Sequence, residues 1–193
     1  MIANLRPAIV SMVLFTALLG LAYPLGVTGL AQLLFPAQAG GSLIRNASGE
    51  IVGSRFVGQN FKDEAYLRPR PSAAGKDGYD ASGSSGSNLG PLNEDLAARI
   101  KTDAEALRAE SPAPIPVDAV TTSASGLDPH VSPANAARQV PRIAAARKVP
   151  AAEVQAVIAA NTEGSTFGLL GEPRVNVLAV NLALDARWPR AQR

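Results

Sequence analysis

Hydrophobic positions are spread very unevenly along this chain. From Ala8 to Phe35 the sequence is a nearly unbroken apolar run of 28 residues, and after Arg6 no charged residue appears until Arg45. About 20 apolar residues cross roughly 30 Å of hydrocarbon at about 1.5 Å per residue, so the run predicts one transmembrane helix over residues 8–35. The competing reading is a secretory signal, whose apolar core spans about 7 to 15 residues before a small-x-small cleavage site. Gly20-Leu21-Ala22 and Ala37-Gln38-Ala39 have that composition, but the first lies inside the run and the second follows a run longer than a signal uses. A retained anchor is expected. Pro24 removes a backbone donor and disfavours helical geometry at Tyr23, which predicts a bend there. The bend either fits the helix to the bilayer or, with Gly20, Gly26 and Gly29, lets a neighbouring helix approach; Thr28 and Gln32 add polar groups on the same segment.

After the run the pattern becomes that of a water-facing domain. Leu43-Ile44 and Ile51-Val52 flank the turn-rich Asn46-Ala47-Ser48-Gly49 and predict a hairpin. Residues 69–91 are dominated by Gly, Ser, Pro and Asp, a composition that supports neither helix nor strand. Asn93 is placed to cap a helix with Glu94 and Asp95 in its first turn and Leu96, Ile100 and Leu107 on one face, running to about Ala109. Pro112, Pro114 and Pro116 stop it, and Val117 to Thr122 reads as a strand. Ser132-Pro133 starts a second helix, and residues 150–160, with Val154, Val157 and Ile158 on one side, form a third. Val175 to Leu184 is either a buried strand or an apolar helix. The expected fold class is therefore a single N-terminal transmembrane helix plus one mixed α+β domain over residues 36–193.

Composition narrows the function. Of 193 residues, 47% are hydrophobic and 18% charged, and a mean hydropathy of +0.09 is high for a protein of this length. Without the first 35 residues the chain still has 158, enough for one domain with a real core. That part carries 17 basic and 16 acidic residues, scattered rather than bunched, so no nucleic-acid partner is expected. No cysteine is present, which excludes thiolate metal sites and disulfides, and a single histidine argues against a multi-histidine metal centre. Arg6 and the amino terminus flank one end of the span, whereas the next basic residue, Arg45, lies ten positions past Phe35. The positive-inside rule then makes residues 1–7 cytoplasmic and the domain extracytoplasmic.

Candidate chemistry is sparse. Gly83 to Gly90 lacks both the Lys-Ser/Thr ending of a phosphate loop and the spacing of a dinucleotide fingerprint. Ser123 or Ser125 with Asp128 and His130 gives the outline of a hydrolase triad, but no nucleophile-elbow sequence surrounds them, and side chains so close in one turn usually cap backbone groups. The adjacent pairs Asp63-Glu64 and Glu94-Asp95 do not face each other on a helix. Arg68, Arg70, Arg138, Arg142 and Arg147 offer an anion or partner surface, with solvated arginines as the default. The polar, turn-rich stretches at Gly58, Gln59, Asn60 and Phe61, at Gly86, Ser87, Asn88 and Leu89, and at Ser123, Ser125, Gly126, Leu127 and Asp128 are the candidate partner-contact loops.

Several motifs in order look familiar. Leu5-Arg6-Pro7-Ala8, Tyr23-Pro24-Leu25 and Gly41-Ser42-Leu43-Ile44-Arg45 surround the span, and Gly58-Gln59-Asn60-Phe61, Arg70-Pro71-Ser72-Ala73 and Gly86-Ser87-Asn88-Leu89 follow. Val120 to Asp128, Gln139-Val140-Pro141-Arg142, Val175-Asn176-Val177 and Asn181 to Asp185 complete the set. Together they resemble the C subunit of the Kdp-type potassium-transporting P-type ATPase over nearly the full length, leaving only the charged tail 187–193 outside. The resemblance implies an accessory subunit of a bacterial inner-membrane potassium importer. Its partners would be a channel-like potassium-translocating subunit, a P-type ATP-hydrolysing subunit and the bilayer. It also implies a role in assembly, or as a catalytic chaperone raising the hydrolytic subunit's affinity for ATP. No Asp-Lys-Thr-Gly phosphorylation motif or carbonyl-lined filter sequence is present. Potassium and ATP would be handled by the complex, this chain having no cofactor of its own. Because ATP is cytoplasmic and the domain is expected outside, no residue is assigned to nucleotide. The alternative from another class is an anchored exported hydrolase using Ser123 or Ser125 with His130.

Overall fold

A computed structural model describes residues 4–46 and 48–189. Residues 1–3, Ala47 at the hairpin turn and residues 190–193 of the charged tail lie outside the described residues. The chain divides into two compact units, one up to Val52 and one from Gly53 onward, a division that falls within the second strand of the first hairpin.

In the first unit the apolar run is one continuous helix, Leu5–Leu34, of 30 residues. At about 1.5 Å per residue it is roughly 45 Å long, enough to span a bilayer with overhang. Its segments are α1 (Leu5–Ala17), a π-helical turn (Leu18–Ala22) and α2 (Tyr23–Leu34). The π turn sits where Pro24 demands an adjustment. A proline without N–H leaves the carbonyl four residues earlier unpaired, and here Tyr23 N–H instead reaches back five residues to Leu18 O. Tyr23 keeps helical angles (φ −65°, ψ −53°) although Pro24 disfavours them, and the adjustment is taken up by the π turn. A one-turn helix α3 (Pro36–Ala39) then leads to strands β1 (Leu43–Arg45) and β2 (Ile51–Ser54). Asn46 organises their turn: its Oδ1 accepts from Ser48 N–H (3.0 Å) and Glu50 N–H (2.9 Å).

The second unit is built on helices α5 (Pro133–Arg147), α6 (Ala151–Ala160) and α7 (Val177–Arg187) and a small antiparallel sheet. The strands β3 (His130–Val131), β4 (Thr162–Glu163) and β5 (Arg174–Asn176) lie in the order β3-β5-β4, with Val131 and Thr162 both in register with Val175. Ser132 caps α5 by accepting from Asn135 N–H (3.1 Å), with Pro133 at the first helical position. Lys148, in the left-handed region (φ 57°), ends α5, and Pro150 immediately starts α6. The core joins Ala136, Val140, Ile143 and Ala144 of α5 to Val154, Val157 and Ile158 of α6, to Val177, Val180 and Leu184 of α7, and to Val131 and Val175 of the sheet.

The segment 175–184 is both of the elements between which its sequence is ambiguous. Asn176 is the last residue of β5 and the cap of α7, accepting from Ala179 N–H at 2.9 Å, so the strand runs directly into the helix. Val117 to Thr122 is not a strand: Val117–Ala119 is a short 3₁₀ helix. The cause is Asp118, whose carboxylate accepts from Ser132 N–H (2.8 Å), Ser132 Oγ (2.8 Å) and Asn135 Nδ2 (3.0 Å) at the start of α5. Helix α4 (Glu94–Glu110) is capped by Asn93 as its sequence predicts, yet none of its residues is fully buried.

The arginines are neither solvated nor grouped as an open anion surface. Arg147, with a side chain 1% exposed, donates to Ala65 O (2.7 Å), Trp188 O (3.2 Å) and Asp185 Oδ1 (2.8 Å), and its guanidinium lies 5.1 Å from the Tyr66 ring centre. Arg138 donates to Leu107 O and Ser111 O and so caps the C-terminal end of α4. Arg142 pairs with Glu110 at 2.8 Å, and burial together with the neighbouring Arg68 lowers its affinity for its proton. Buried Asn181 completes the tie, accepting from Leu67 N–H (2.8 Å) and donating to Leu67 O (2.9 Å). These polar contacts fix an otherwise irregular 60–75 segment against α5 and α7.

Candidate functional site

The candidate loops meet in one place. Gly58 N–H donates to Leu127 O (2.8 Å), Ser85 N–H donates to Ser125 O (2.9 Å), and Ser123 N–H donates to Pro71 O (3.0 Å). Segments 56–58, 70–86 and 123–128, distant in sequence, are thereby stitched into a loop platform. Glycines make the close approach feasible. A Cβ on Gly58 would lie 2.4 Å from the Tyr79 ring and 2.7 Å from Asp128 O, and one on Gly86 would lie 2.7 Å from Ala124 O. Gly126 is doubly constrained: it has φ +66°, and a Cβ there would lie 2.4 Å from Ser85 O and 2.6 Å from Ala74 Cβ.

Ser72, named in the sequence only as part of the Arg70 to Ala73 motif, and Tyr79, which sequence reasoning did not single out, tie the platform together. Ser72 Oγ donates to Gly126 O (2.6 Å) and accepts from Ala74 N–H (3.1 Å) and Tyr79 N–H (2.9 Å). The Tyr79 hydroxyl donates to Arg70 O at 3.0 Å, and burial, reinforced by the Asp128 charge, raises its pKa well above the usual phenol value. A lone aromatic inside a Gly/Ser/Pro-rich stretch was the available signal. Arg70 pairs with Asp128 at 3.0 Å. Asp128 also accepts from His130 N–H at 3.0 Å, with His130 Nδ1 3.5 Å away.

Burial opposes the Asp128 charge, but hydrogen bonds from His130 and Arg70 outweigh it and hold its pKa below the usual carboxylate value. A depressed pKa contributes stability that is present above the unfolded value of about 3.9 and is lost as pH falls through the lower folded value. Asp128→Asn should therefore flatten the acid limb of the stability curve below about pH 4. Denaturation midpoints measured from pH 3 to pH 7 for both proteins check this; parallel acid limbs would show that Asp128 is not held ionised.

The hydrolase arrangement does not form. Ser123 Oγ accepts from Gly126 N–H (3.1 Å), Ser125 Oγ accepts from Leu127 N–H (3.1 Å), and the two hydroxyls lie 3.2 Å apart. His130 Nε2 instead lies 3.5 Å from Asn176 Nδ2. Both serines thus act as local turn caps, the ordinary role for such residues. Among the described residues no group of three or more His, Asp or Glu side chains is placed to hold a metal ion.

The remaining loop residues divide by burial. Phe61 packs against the core, with its ring 5.5 Å from that of Tyr66, so it belongs in part to the fold. Asn60 donates to Asp77 O, while Asn88, at φ +53°, and Ser125 are exposed on the loop surface. Gln59, Ser87 and Leu89 are half-buried. A cleft of about 450 Å³ beside the platform mixes Lys62, Arg68 and Arg70 with Asp77 and Asp103 along its lining.

In the apolar helix, Gly26 and Gly29 have nothing within 4 Å of an added Cβ, and Gly20 has only its own Thr16 methyl at 3.9 Å. Gln32 lies three residues after Gly29 and four after Thr28, so these three share one side of α2, with Gly26 one three-residue step before Gly29 at its edge. That side is free for a neighbour.

Comparison with known proteins completes the description. A family model described as KdpC, K+-transporting ATPase, c chain, matches residues 5–186. A protein named potassium-transporting ATPase KdpC subunit from Caulobacter vibrioides (strain NA1000 / CB15N) is 64% identical over 190 residues, covering 98% of this chain and 96% of its own. Proteins of the same name from Beijerinckia indica subsp. indica and Bradyrhizobium diazoefficiens are 57% and 53% identical, covering 98% and 96% of this chain and 96% and 98% of theirs.

Proposed function

Because the chain belongs to the KdpC family, the c chain of the K+-transporting ATPase, we propose that it serves as the membrane-anchored accessory subunit of a potassium importer, joined to a channel-like subunit and an ATP-hydrolysing subunit. The observation that carries this reading is the near full-length match, which includes both the apolar helix and the domain. In this reading the helix 5–34 crosses the inner membrane once, with a cytoplasmic amino terminus, and the domain lies outside. Arg6 beside one end of the span and the absence of basic residues up to Arg45 at the other support that orientation. The side of α2 that carries Thr28, Gly29 and Gln32, with Gly26 at its edge, docks on partner helices, since association within lipid relies on close packing and polar contacts. The loop platform at 58, 70–86 and 123–128 holds the domain's contact geometry. Potassium and ATP are bound by the other subunits, and any effect of this chain on ATP affinity is exerted through them.

Two measurements test the arrangement. Deleting the chain should abolish potassium uptake when external potassium is limiting, and the full-length chain should restore it. Single cysteines introduced at Ser48 and Ser84 should react with a membrane-impermeant thiol reagent in intact spheroplasts. Labelling only after lysis would overturn the orientation, and uptake that persists without the chain would overturn the function.

A further inference from the structure

Between β4 and β5 the chain reads Gly164-Ser165-Thr166-Phe167-Gly168-Leu169-Leu170-Gly171-Glu172, with no charge before Glu172. Thr166 N–H donates to Leu170 O (2.8 Å) and Leu170 N–H donates to Thr166 O (3.0 Å), closing a tight hairpin tip. Phe167 (φ +56°) and Gly168 (φ +73°) are both in the left-handed region. Glycine adopts that backbone freely, whereas a bulky aromatic residue does so at a cost.

The tip leaves its large side chains in water. Phe167 is 91% exposed, Leu169 87% and Leu170 63%. An added Cβ on Gly164, Gly168 or Gly171 would meet nothing within 4 Å, so the tip stands clear of the rest of its unit. Three such side chains make a patch on the order of a few hundred Å², the size at which exposed apolar surface marks an interaction site. Phe167 is thus unfavourable twice, in backbone and in solvation, unless something outside the chain covers it.

The surrounding charges choose between lipid and protein as the cover. Segments that dock on bilayers set Lys or Arg, and often Trp, beside the apolar face to meet anionic headgroups. Here the two basic residues at the base, Arg55 and Arg174, are both held on Glu163. The charge nearest the tip is Glu172, which is exposed and makes no ion pair among the described residues. The four charges cancel, which gives no attraction to an anionic surface.

We infer that the 165–172 hairpin tip is a plug that seats Phe167 and Leu169 in an apolar socket on another subunit of the same ATPase, with a basic group on the socket rim facing Glu172. This rests on the accessory-subunit reading and names a contact within it. Photoreactive benzoylphenylalanine in place of Phe167 of the full chain, illuminated in native membranes, should form an adduct with another subunit of the ATPase, and mass spectrometry should place the attachment in an apolar stretch. Adducts with lipid alone, or none, would overturn the plug. In the same membranes a tagged wild-type chain must recover the other subunits; if it recovers none, the accessory-subunit reading fails together with the plug. Substituting Phe167→Ser and Leu169→Ser together should lower recovery of the complex about tenfold and leave the unfolding midpoint unchanged, because these side chains are almost fully exposed among the described residues. Unchanged recovery would equally overturn the proposal.

Discussion

Arg147→Met is expected to lower the stability of the domain by about 3 kcal/mol. The guanidinium ties three places together: Ala65 O in the irregular 60–75 segment, Asp185 in α7, and Trp188 O just past it. Methionine matches much of the side-chain volume but leaves Ala65, itself 1% exposed, with a carbonyl that has lost its donor. Among the described residues Asp185 would keep only the Tyr66 hydroxyl, 2.8 Å from its other oxygen. Its carboxylate is 37% exposed, which places the cost at the lower end of the range for a broken buried pair. Trp188 is the only tryptophan and lies at the contact, so its fluorescence reports the transition directly. The urea midpoint should fall with an unchanged slope, and Arg147→Lys should recover only part of the loss, because an ammonium cannot serve three acceptors in a fixed fork. A midpoint within error of the wild type would show that the clamp contributes nothing.

Gly126→Val should dismantle the loop platform. At φ +66° a β-branched residue is strained whatever the space, and here even the first added carbon falls 2.4 Å from Ser85 O. Strain and overpacking together cost about 3 kcal/mol. The loss should be local, because the helical core of α5, α6 and α7 does not include this loop. The readouts are faster tryptic cutting at exposed Lys76 and a large fall in potassium uptake. Gly83→Ala and Gly90→Ala are the controls: neither position has a positive φ or an atom within 4 Å of an added Cβ, so both should be silent. Equal effects at all three positions would mean that the segment tolerates no change for reasons unrelated to packing.

How much of this could be read in the sequence depended on how local the physics was. The apolar helix, the caps at Asn93 and Ser132, the apolar face of α6 and the first hairpin follow from neighbours a few residues apart, and the structure has all of them. Val117 to Thr122 has strand-forming residues, but Asp118 is captured by Ser132 and Asn135, more than a dozen positions away, and the segment becomes a turn of 3₁₀ helix. The roles of the arginines are hidden for the same reason: nothing near Arg138 or Arg147 in sequence announces the carbonyls that each one serves. The candidate loops were legible as loops. Their convergence was not, since it depends on Gly58, Gly86 and Gly126 fitting against backbone supplied by other segments. The serine, aspartate and histidine around residue 125 show the converse case, a local pattern that suggests chemistry but resolves into turn capping.

The central claim, that this chain is an accessory subunit of a potassium-transporting ATPase, is tested most directly by recovering it from its own membrane. The full-length chain, tagged and expressed at its native level, is solubilised in mild detergent, captured and identified together with whatever accompanies it, and the recovered material is assayed for potassium-stimulated ATP hydrolysis. The account predicts that the chain brings a channel-like subunit and a P-type subunit with it, that the material hydrolyses ATP in response to potassium, and that His130→Ala leaves both unchanged. A chain recovered alone, or one whose only activity is a hydrolysis lost with His130→Ala, would contradict it.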